Sequence, residues 1–351
     1  MAMPRATSIQ ITPEILGLIA ELDEFKGAWR AAAHLAPDRL TRLRKVATIE
    51  SVGSSTRIEG SKLSDQEVEA LLGRIEAKSF ATRDEQEVAG YAEVMDTVFS
   101  SYEAIPITEN YIKQLHAMLL RHSTKDVRHR GEYKKLSNQV EAFDETGKSV
   151  GVIFETSTPF ETPRDMHDLI AWLKQTREEN AVHSLLATAV FVVVFLAIHP
   201  FQDGNGRLSR ILTTLLLLQG GYVYVPYASL ESVVEQNKES YYLALRRTQG
   251  TLKRDAPDWQ PWILFFLRAL QRQKRALEAK IDREQIMRVA MPALATTILD
   301  LVAEHGQIGV AEILKVTGAP RATIKKRIGE LVKGGHLKRI GDGRSSRYVR
   351  V

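Results

Sequence analysis

The sequence predicts a mostly α-helical protein with more than one domain. Helical spacing of apolar residues dominates the chain, whereas alternating, strand-like patterns are short and few. A length of 351 residues exceeds what one hydrophobic core usually organises. The charge distribution separates the C-terminal end, because residues 293–351 hold eleven basic and five acidic side chains, a net charge of +6, while the rest of the chain carries −1.

The first predicted region is 1–106. Its apolar residues recur at helical spacing and are interrupted at Gly53, Gly60 and Gly73, where we expect the chain to change direction. A second predicted domain, 107–250, follows.

The segment Ser137–Thr162 interrupts the helical pattern of the second domain. It contains the polar turn sequence Asp144–Gly147, followed by Val150–Phe154, whose β-branched and aromatic residues favour a strand. A β-hairpin and a surface loop both fit these residues, and the pattern alone does not separate them.

The most apolar run is Leu185–Ile198, which predicts a buried core helix. Its 14 residues fall short of the roughly 20 that span a bilayer, so no membrane association is expected. The N-terminus lacks the unbroken apolar stretch of a signal peptide, which predicts a cytoplasmic protein. The chain has no cysteine, which excludes disulfides and thiolate metal sites.

The C-terminal part begins with a predicted linking helix within 251–292. The last predicted domain, 293–351, contains three short amphipathic helices and two short strands around Gly341–Gly343, and it resembles a winged helix-turn-helix domain. On that scaffold a set of basic residues would face DNA: Arg321, Lys325, Lys326, Arg327, Arg344 and Arg347. Winged helices also dock proteins, so the kind of partner stays open.

Residues His199–Arg210 read HPFQDGNGRLSR and carry the strongest functional signal. Pro200 ends the apolar helix, and the next helix begins close to Gly206. In the tight loop Asp203–Gly206 between them, glycines let backbone N–H groups turn toward one point, and the following helix adds its positive end. Such a loop binds phosphate.

Four side chains around this loop suit phosphate chemistry. Arg207 and Arg210 are three residues apart and can grip further phosphate oxygens. Asp203 offers an oxygen ligand for Mg²⁺. His199 has an ordinary pKa of about 6.5 and can remove a proton from an attacking hydroxyl. Taken singly, each residue has a structural alternative, such as a helix-end partner, a plain turn or a solvated pair.

Together these residues match the motif HPFx(D/E)GNGRxxR, so the chain resembles the Fic (filamentation induced by cAMP) family. The resemblance implies a helical Fic core and transfer of AMP from ATP to a Ser, Thr or Tyr hydroxyl of a target protein. It assigns His199 as the base and Asp203 as the Mg²⁺ ligand. Gly204, Asn205 and Gly206 would form the anion hole, and Arg207 and Arg210 would bind the β- and γ-phosphates.

Two further segments fit this family. The hairpin corresponds to a flap that clamps the target protein by adding a strand, so Val152–Glu155, including Ile153 and Phe154, would line the site. Tyr241 and Tyr242, in ESYYLAL, resemble the segment that closes over adenosine. Family flaps often contain several prolines, whereas this one reads FETSTPFETP, which leaves the choice of target open.

The segment Ser55–Gly60 matches the inhibitory motif of the family, (S/T)xxxE(G/N). Ser55 and Glu59 lie on one helical face, and Gly60 can end the helix. The resemblance implies that Glu59 pairs with Arg210 and keeps ATP from binding productively. A solvated, capped helix is the structural alternative.

The resulting prediction is an auto-inhibited protein adenylyltransferase that uses ATP and Mg²⁺. The alternatives are a DNA-binding regulator whose Fic core only senses nucleotide, a phosphotransferase, and a hydrolase that removes AMP. The sequence leaves the target protein and the oligomeric state open, with a homodimer as one option.

Overall fold

Helices form most of the described chain, which confirms the predicted class. The computed structural model describes residues 9–31, 37–75, 80–143, 149–290, 293–341 and 346–350. Two units make up the chain, Met1–Ala276 and Leu277–Val351. The predicted domain limits at 106/107, 250/251 and 292/293 stay predictions.

In the part that the structure describes, the first unit contains ten α-helices that end within it, followed by a longer one that continues to residue 290. They are α1 (Pro13–Ala31), α2 (Pro37–Ile58), α3 (Asp65–Leu72), α4 (Arg83–Ser101), α5 (Glu109–Leu119), α6 (Thr162–Glu178), α7 (Ser184–Ile198), α8 (Asn205–Gln219), α9 (Leu230–Gln236), α10 (Lys238–Gln249) and α11 (Gln260–Ala290). The predicted linking helix corresponds to α11.

Helix α7 forms the centre of the first unit. Every residue from Leu185 to Ile198 is buried, which confirms the predicted core helix. It packs against α6, α8 and α10. Burying each of its large apolar side chains stabilises the fold by about 1.5–3 kcal/mol. Among the described residues, no helix is long and apolar enough to cross a membrane.

Helix α2 leads into the segment that the sequence singled out as inhibitory. It ends at Ile58, and Gly60 has a φ of 106°, a conformation that glycine adopts without strain. Gly60 is therefore a helix stop, as predicted. The break predicted at Gly53 is wrong, because Gly53 lies inside α2. A Cβ at Gly53 would lie 2.7 Å from Arg57 Nη1. Gly53 therefore leaves space for the Arg57 side chain and does not form a turn.

The interruption in the second predicted domain is a hairpin. Strand β1 (Gln139–Phe143) pairs antiparallel with β2 (Ser149–Glu155), with Gln139 opposite Glu155. Two register shifts bend the ladder. The hairpin prediction is thus confirmed over the surface loop, while the turn predicted at Asp144–Gly147 lies outside the described residues.

In its described residues, the second unit holds a three-stranded antiparallel sheet and three helices that follow the end of α11. They are α12 (Ala293–His305), β3 (Gln307–Gly309), α13 (Val310–Thr317), α14 (Arg321–Lys333), β4 (Leu337–Ile340) and β5 (Arg347–Arg350). The strand order is β3-β5-β4, so β5 is central. Its core includes Ile298, Ile313 and Ile324, each fully buried. The sequence prediction missed β3, because three residues are too few to show an alternating pattern.

Candidate active site

The loop between α7 and α8 is shaped by two residues in left-handed conformations. His199 caps α7 with a φ of 52°, an uncommon value for a residue other than glycine, and Gly204 has a φ of 81°. Asn205 closes the loop, since it accepts from Phe201 N–H at 2.9 Å and donates to Phe201 O at 2.7 Å. The Asn205 side chain therefore holds the loop, and its backbone belongs to the N-terminal turn of α8, where helix N–H groups face outward.

His199 is poised as a proton acceptor. Its Nδ1 lies 3.3 Å from Leu196 O, which can only accept, so Nδ1 carries the proton and Nε2 is left to accept one. Burial lowers the pKa of His199 to about 4. The imidazole is therefore neutral at pH 7.

Asp203 is held as a charged carboxylate one-third exposed at the loop. Burial opposes ionisation, but the Arg207 charge, the Gly204 N–H at 2.6 Å and Arg83 outweigh it and hold the pKa below its ordinary value. An accessible carboxylate at the N-terminus of a helix is a donor that Mg²⁺ combines with substrate phosphates. The residues present thus fit Mg²⁺ bound with a nucleotide.

Arg207 and Arg210 point to different partners. Arg207 is 2% exposed and pairs with Glu87 on α4, at 3.3 Å, and with Asp203, at 3.5 Å. It is not among the residues that line the cavity described below. In this conformation it supports Asp203 from the protein side, whereas Arg210 faces the cavity.

Arg210 is held by the segment Ser55–Gly60. Its Nη2 donates to Glu59 Oε1 at 2.7 Å and to Ser55 O at 2.9 Å, and its Nε donates to Ser55 Oγ at 2.8 Å. Burial disfavours the Glu59 carboxylate, but the charge and hydrogen bond of Arg210 outweigh burial and lower the pKa of Glu59. The pair that the family motif implied is therefore formed in the structure.

The Glu59 carboxylate also lies against the first turn of α8. A Cβ added to Gly206 would be only 2.2 Å from Glu59 Oε1. Gly206 is in the first turn of α8, whose N–H groups attract negative charge. Glu59 thus brings an internal anion to a place suited to a phosphate oxygen.

Two contacts that the sequence analysis missed fix the end of α2. Arg57 forms a two-pronged pair with Glu235 on α9, with N···O distances of 2.7 and 3.0 Å. Lys238 Nζ donates to Ile58 O at 2.8 Å. Both partners are about 180 residues away in sequence, so no local pattern could have indicated them.

A cavity of about 180 Å³ unites most of the predicted residues. It is lined by Glu59, Leu196, His199, Gln202, Asp203, Gly204, Asn205, Gly206, Arg210, Tyr241, Tyr242, Leu245, Arg246 and Gln249. The predicted Tyr241 and Tyr242 thus lie beside the loop, and burial raises the pKa of Tyr241 to about 12, which keeps its hydroxyl protonated. Arg246 and Gln249 were missed, although they follow Tyr242 by four and seven residues on one face of α10.

The flap is joined to the loop through Lys134. This buried ammonium donates to Ile198 O at 3.0 Å, to Asn138 Oδ1 at 2.7 Å and to Thr156 Oγ1 at 2.9 Å. Asn138 in turn donates to Phe201 O at 2.7 Å. Both ends of the hairpin are thereby attached beside His199. The predicted Ile153 and Phe154 are in β2, but their side chains lie outside the described part.

In the second unit, α14 carries a basic exposed face. Arg321, Lys325 and Lys326 are exposed. Arg327 pairs with Glu330 at 2.7 Å, and Arg347 lies 3.5 Å from Glu312. The predicted contact residue Arg344 lies outside the described residues.

Family models match two parts of the chain. Residues 106–217 match the Fic/DOC family, and residues 290–351 match the C-terminal domain of the DIP2311-like transcriptional regulators.

Similar proteins include adenylyltransferases. The protein adenylyltransferase Fic of Drosophila mojavensis is 28% identical over 246 residues, covering 68% of this chain and 44% of the relative. A probable protein adenylyltransferase of Aquifex aeolicus is 31% identical over 99 residues, 28% of either chain. This chain thus spans less than half the length of these relatives.

Solved structures share the fold. A Fic family protein from Desulfovibrio desulfuricans matches 98% of both chains with a TM-score of 0.62 and 24% identity. Fic-1 from C. elegans matches 78% of this chain and 72% of its own, with a TM-score of 0.57 and 19% identity. The first unit therefore has a Fic fold.

Proposed function

Because residues 106–217 make this chain a member of the Fic/DOC family, we propose that it transfers AMP from ATP to a Ser, Thr or Tyr hydroxyl of a protein. The observation that carries this proposal is the single cavity shared by His199, the loop Asp203–Gly206 and Arg210. It brings a neutral base, a carboxylate and an anion-binding turn to one place.

The chemistry follows from the protonation states. His199 Nε2 takes the proton of the target hydroxyl as its oxygen attacks the α-phosphorus of ATP. The bond from that phosphorus to the bridging oxygen breaks, and pyrophosphate leaves. The first turn of α8 and Arg210 bind phosphate oxygens. Asp203 would hold Mg²⁺, which supplies positive charge to the phosphates when bound.

We further propose that the wild-type protein is auto-inhibited. Glu59 holds Arg210 at 2.7 Å and lies against Gly206, so the carboxylate competes with a phosphate for the same cation and the same turn. Electrostatic competition of this kind favours a state that binds ATP unproductively or weakly.

Labelled ATP tests the transfer. With a cell lysate as the source of targets and the lysate alone as the background, the Glu59→Gly variant should move label from α-labelled ATP to protein and none from γ-labelled ATP. Movement of the γ label would indicate a phosphotransferase, and binding of ATP without any transfer would indicate a nucleotide sensor. Loss of label from an already modified protein would indicate a hydrolase.

We propose double-stranded DNA as the partner of the second unit. The supporting observation is the exposed basic face of α14, with Arg321, Lys325 and Lys326, since a helix of this kind suits phosphates and a major groove. The full chain should shift duplex DNA in a salt-dependent manner. Reversing two charges, Lys325→Glu with Lys326→Glu, should abolish the shift, and an unchanged shift would exclude this face.

A further inference from the structure

His116 on α5 lies directly beneath the phosphate-binding loop, although the proposed reaction does not use it. Its side chain is fully buried. The ring stacks on Phe201, with centroids 3.8 Å apart and planes within 12°. Gly204 packs on the same ring, since a Cβ there would lie 3.5 Å from His116 Nε2.

Both ring nitrogens of His116 bind backbone. Nε2 lies 3.0 Å from Asp203 O, and the Gly131 N–H lies 2.9 Å from Nδ1. A carbonyl only accepts and an N–H only donates, so the two contacts require the same tautomer. Nε2 carries the proton and donates it to Asp203 O.

That hydrogen bond fixes the peptide between Asp203 and Gly204. In a trans peptide the C=O and N–H point to opposite sides. With Asp203 O directed at His116, the Gly204 N–H is directed away from the ring, where it donates to Asp203 Oδ1 at 2.6 Å. The imidazole, the peptide and the carboxylate thus form one chain of hydrogen bonds.

We propose that His116 is a positioning residue that sets the direction of the Asp203 carboxylate through the Asp203–Gly204 peptide. The inference rests on the proposed function, in which Asp203 holds Mg²⁺ with the nucleotide. Groups that orient a ligand from behind change metal affinity by about 10–100-fold when they are removed. If packing on Phe201 were the whole role of His116, phenylalanine would replace it.

Two substitutions separate orientation from packing. His116→Phe keeps an aromatic ring against Phe201 and removes both hydrogen bonds. His116→Gln has one amide N–H to donate to Asp203 O and one oxygen to accept from Gly131. His122→Phe is the matched control, because His122 is also largely buried but binds Glu93, at 2.8 Å, instead of the loop.

The measurement is calorimetric binding of ATP to the full chain carrying Glu59→Gly, over a series of Mg²⁺ concentrations and in EDTA. His116→Phe should raise the Mg²⁺ concentration for half-maximal ATP affinity by at least about tenfold, with the affinity in EDTA unchanged. His116→Gln and His122→Phe should stay within about threefold of the parent. An unchanged Mg²⁺ dependence in His116→Phe, or an equal loss in EDTA, would overturn the inference.

A measurement on the unaltered residue covers the case in which His116→Phe fails to fold. In ¹⁵N-histidine NMR spectra of the wild-type chain, His116 should be the Nε2-protonated tautomer, and the Nδ1-protonated tautomer would refute the role. The Glu59→Gly chain without a further substitution distinguishes a failure of the proposed function from a failure of the proposed role of His116. If Glu59→Gly neither binds Mg²⁺ with ATP nor transfers label, the proposed function fails; if it does both and His116→Phe is unchanged, only the role of His116 fails.

Discussion

Arg210 Nη2 lies 2.7 Å from Glu59 Oε1, and the same guanidinium donates twice to Ser55. All three contacts come from one segment of α2 and the residue just past it. Arg210 is 7% exposed, and in the proposed mechanism a phosphate would have to replace the carboxylate in order to bind it. Control of the proposed activity therefore depends on what keeps the end of α2 in place.

The Arg57–Glu235 pair should keep the end of α2 in place. Arg57→Met and Glu235→Gln each remove a two-pronged ion pair between α2 and α9, so each should raise transfer of α-label by about 3- to 10-fold, equivalent to roughly 1 kcal/mol. Initial rates of labelling measure the effect. The double variant should not exceed Arg57→Met alone, because Arg57→Met already removes the pair with Glu235. Arg57→Met can exceed Glu235→Gln, since it also removes the pair of Arg57 with Asp65 at 2.9 Å.

Lys45→Met is the matched control for this prediction. Lys45 is on the same helix and pairs with Glu69 at 2.8 Å, but both side chains are more than half exposed. Equal activation by Lys45→Met would indicate general loosening of α2, which contradicts a specific role for Arg57.

The pH dependence should reflect the buried base. Burial lowers the pKa of His199 to about 4, so the base stays neutral on acidification. In the Glu59→Gly variant, kcat/KM for ATP should remain above half its maximum at about pH 5.5, whereas an ordinary histidine of pKa about 6.5 would leave roughly a tenth. An acidic limb with its midpoint near pH 6.5 would contradict the structural assignment. Glu59 raises the pKa of His199, so replacing Glu59 by glycine does not bring that pKa back toward its ordinary value.

Lys134 should affect the transfer of label to protein targets but not the binding of ATP. Lys134→Met removes three hydrogen bonds that join both ends of the flap to Ile198, so label transfer to protein should fall at least about tenfold in the Glu59→Gly background. Calorimetric ATP affinity should be unchanged, and Lys134→Arg should restore part of the transfer. Lys135→Met, at the exposed neighbouring position, should have no effect. Parallel loss of ATP affinity would assign Lys134 to general stability instead.

Local patterns predicted the elements of this site but not the contacts between distant segments. The helix end at Ile198, the strand over Val150–Phe154 and the helix stop at Gly60 all follow from residues nearby in sequence. The pairing of Arg207 with Glu87 does not, because it depends on how α4 packs beside α8. Arg207 and Arg210, three residues apart, were expected to bind the same ligand. Instead Arg207 pairs with the buried Glu87 carboxylate on α4, while Arg210 faces the cavity.

Two residues that line the cavity could have been predicted from the sequence, whereas two buried residues beside the loop could not. Arg246 and Gln249 could have been found from helical spacing after Tyr242. His116 and Lys134 carried no signal, because a single histidine or lysine in a helix or turn is usually solvated. Their roles come from burial against the loop, which only the tertiary fold creates.

The most direct measurement compares α-label transfer by wild type, Glu59→Gly and Glu59→Gly with His199→Ala, using Mg²⁺ and a cell lysate. Removing a charge-assisted hydrogen bond to Arg210 should raise transfer by at least about tenfold, and the second substitution should abolish it. Glu59→Gln keeps the volume over Gly206 without the charge and should activate less than Glu59→Gly. Equal, low labelling by wild type and Glu59→Gly, or labelling that survives His199→Ala, would contradict an auto-inhibited adenylyltransferase.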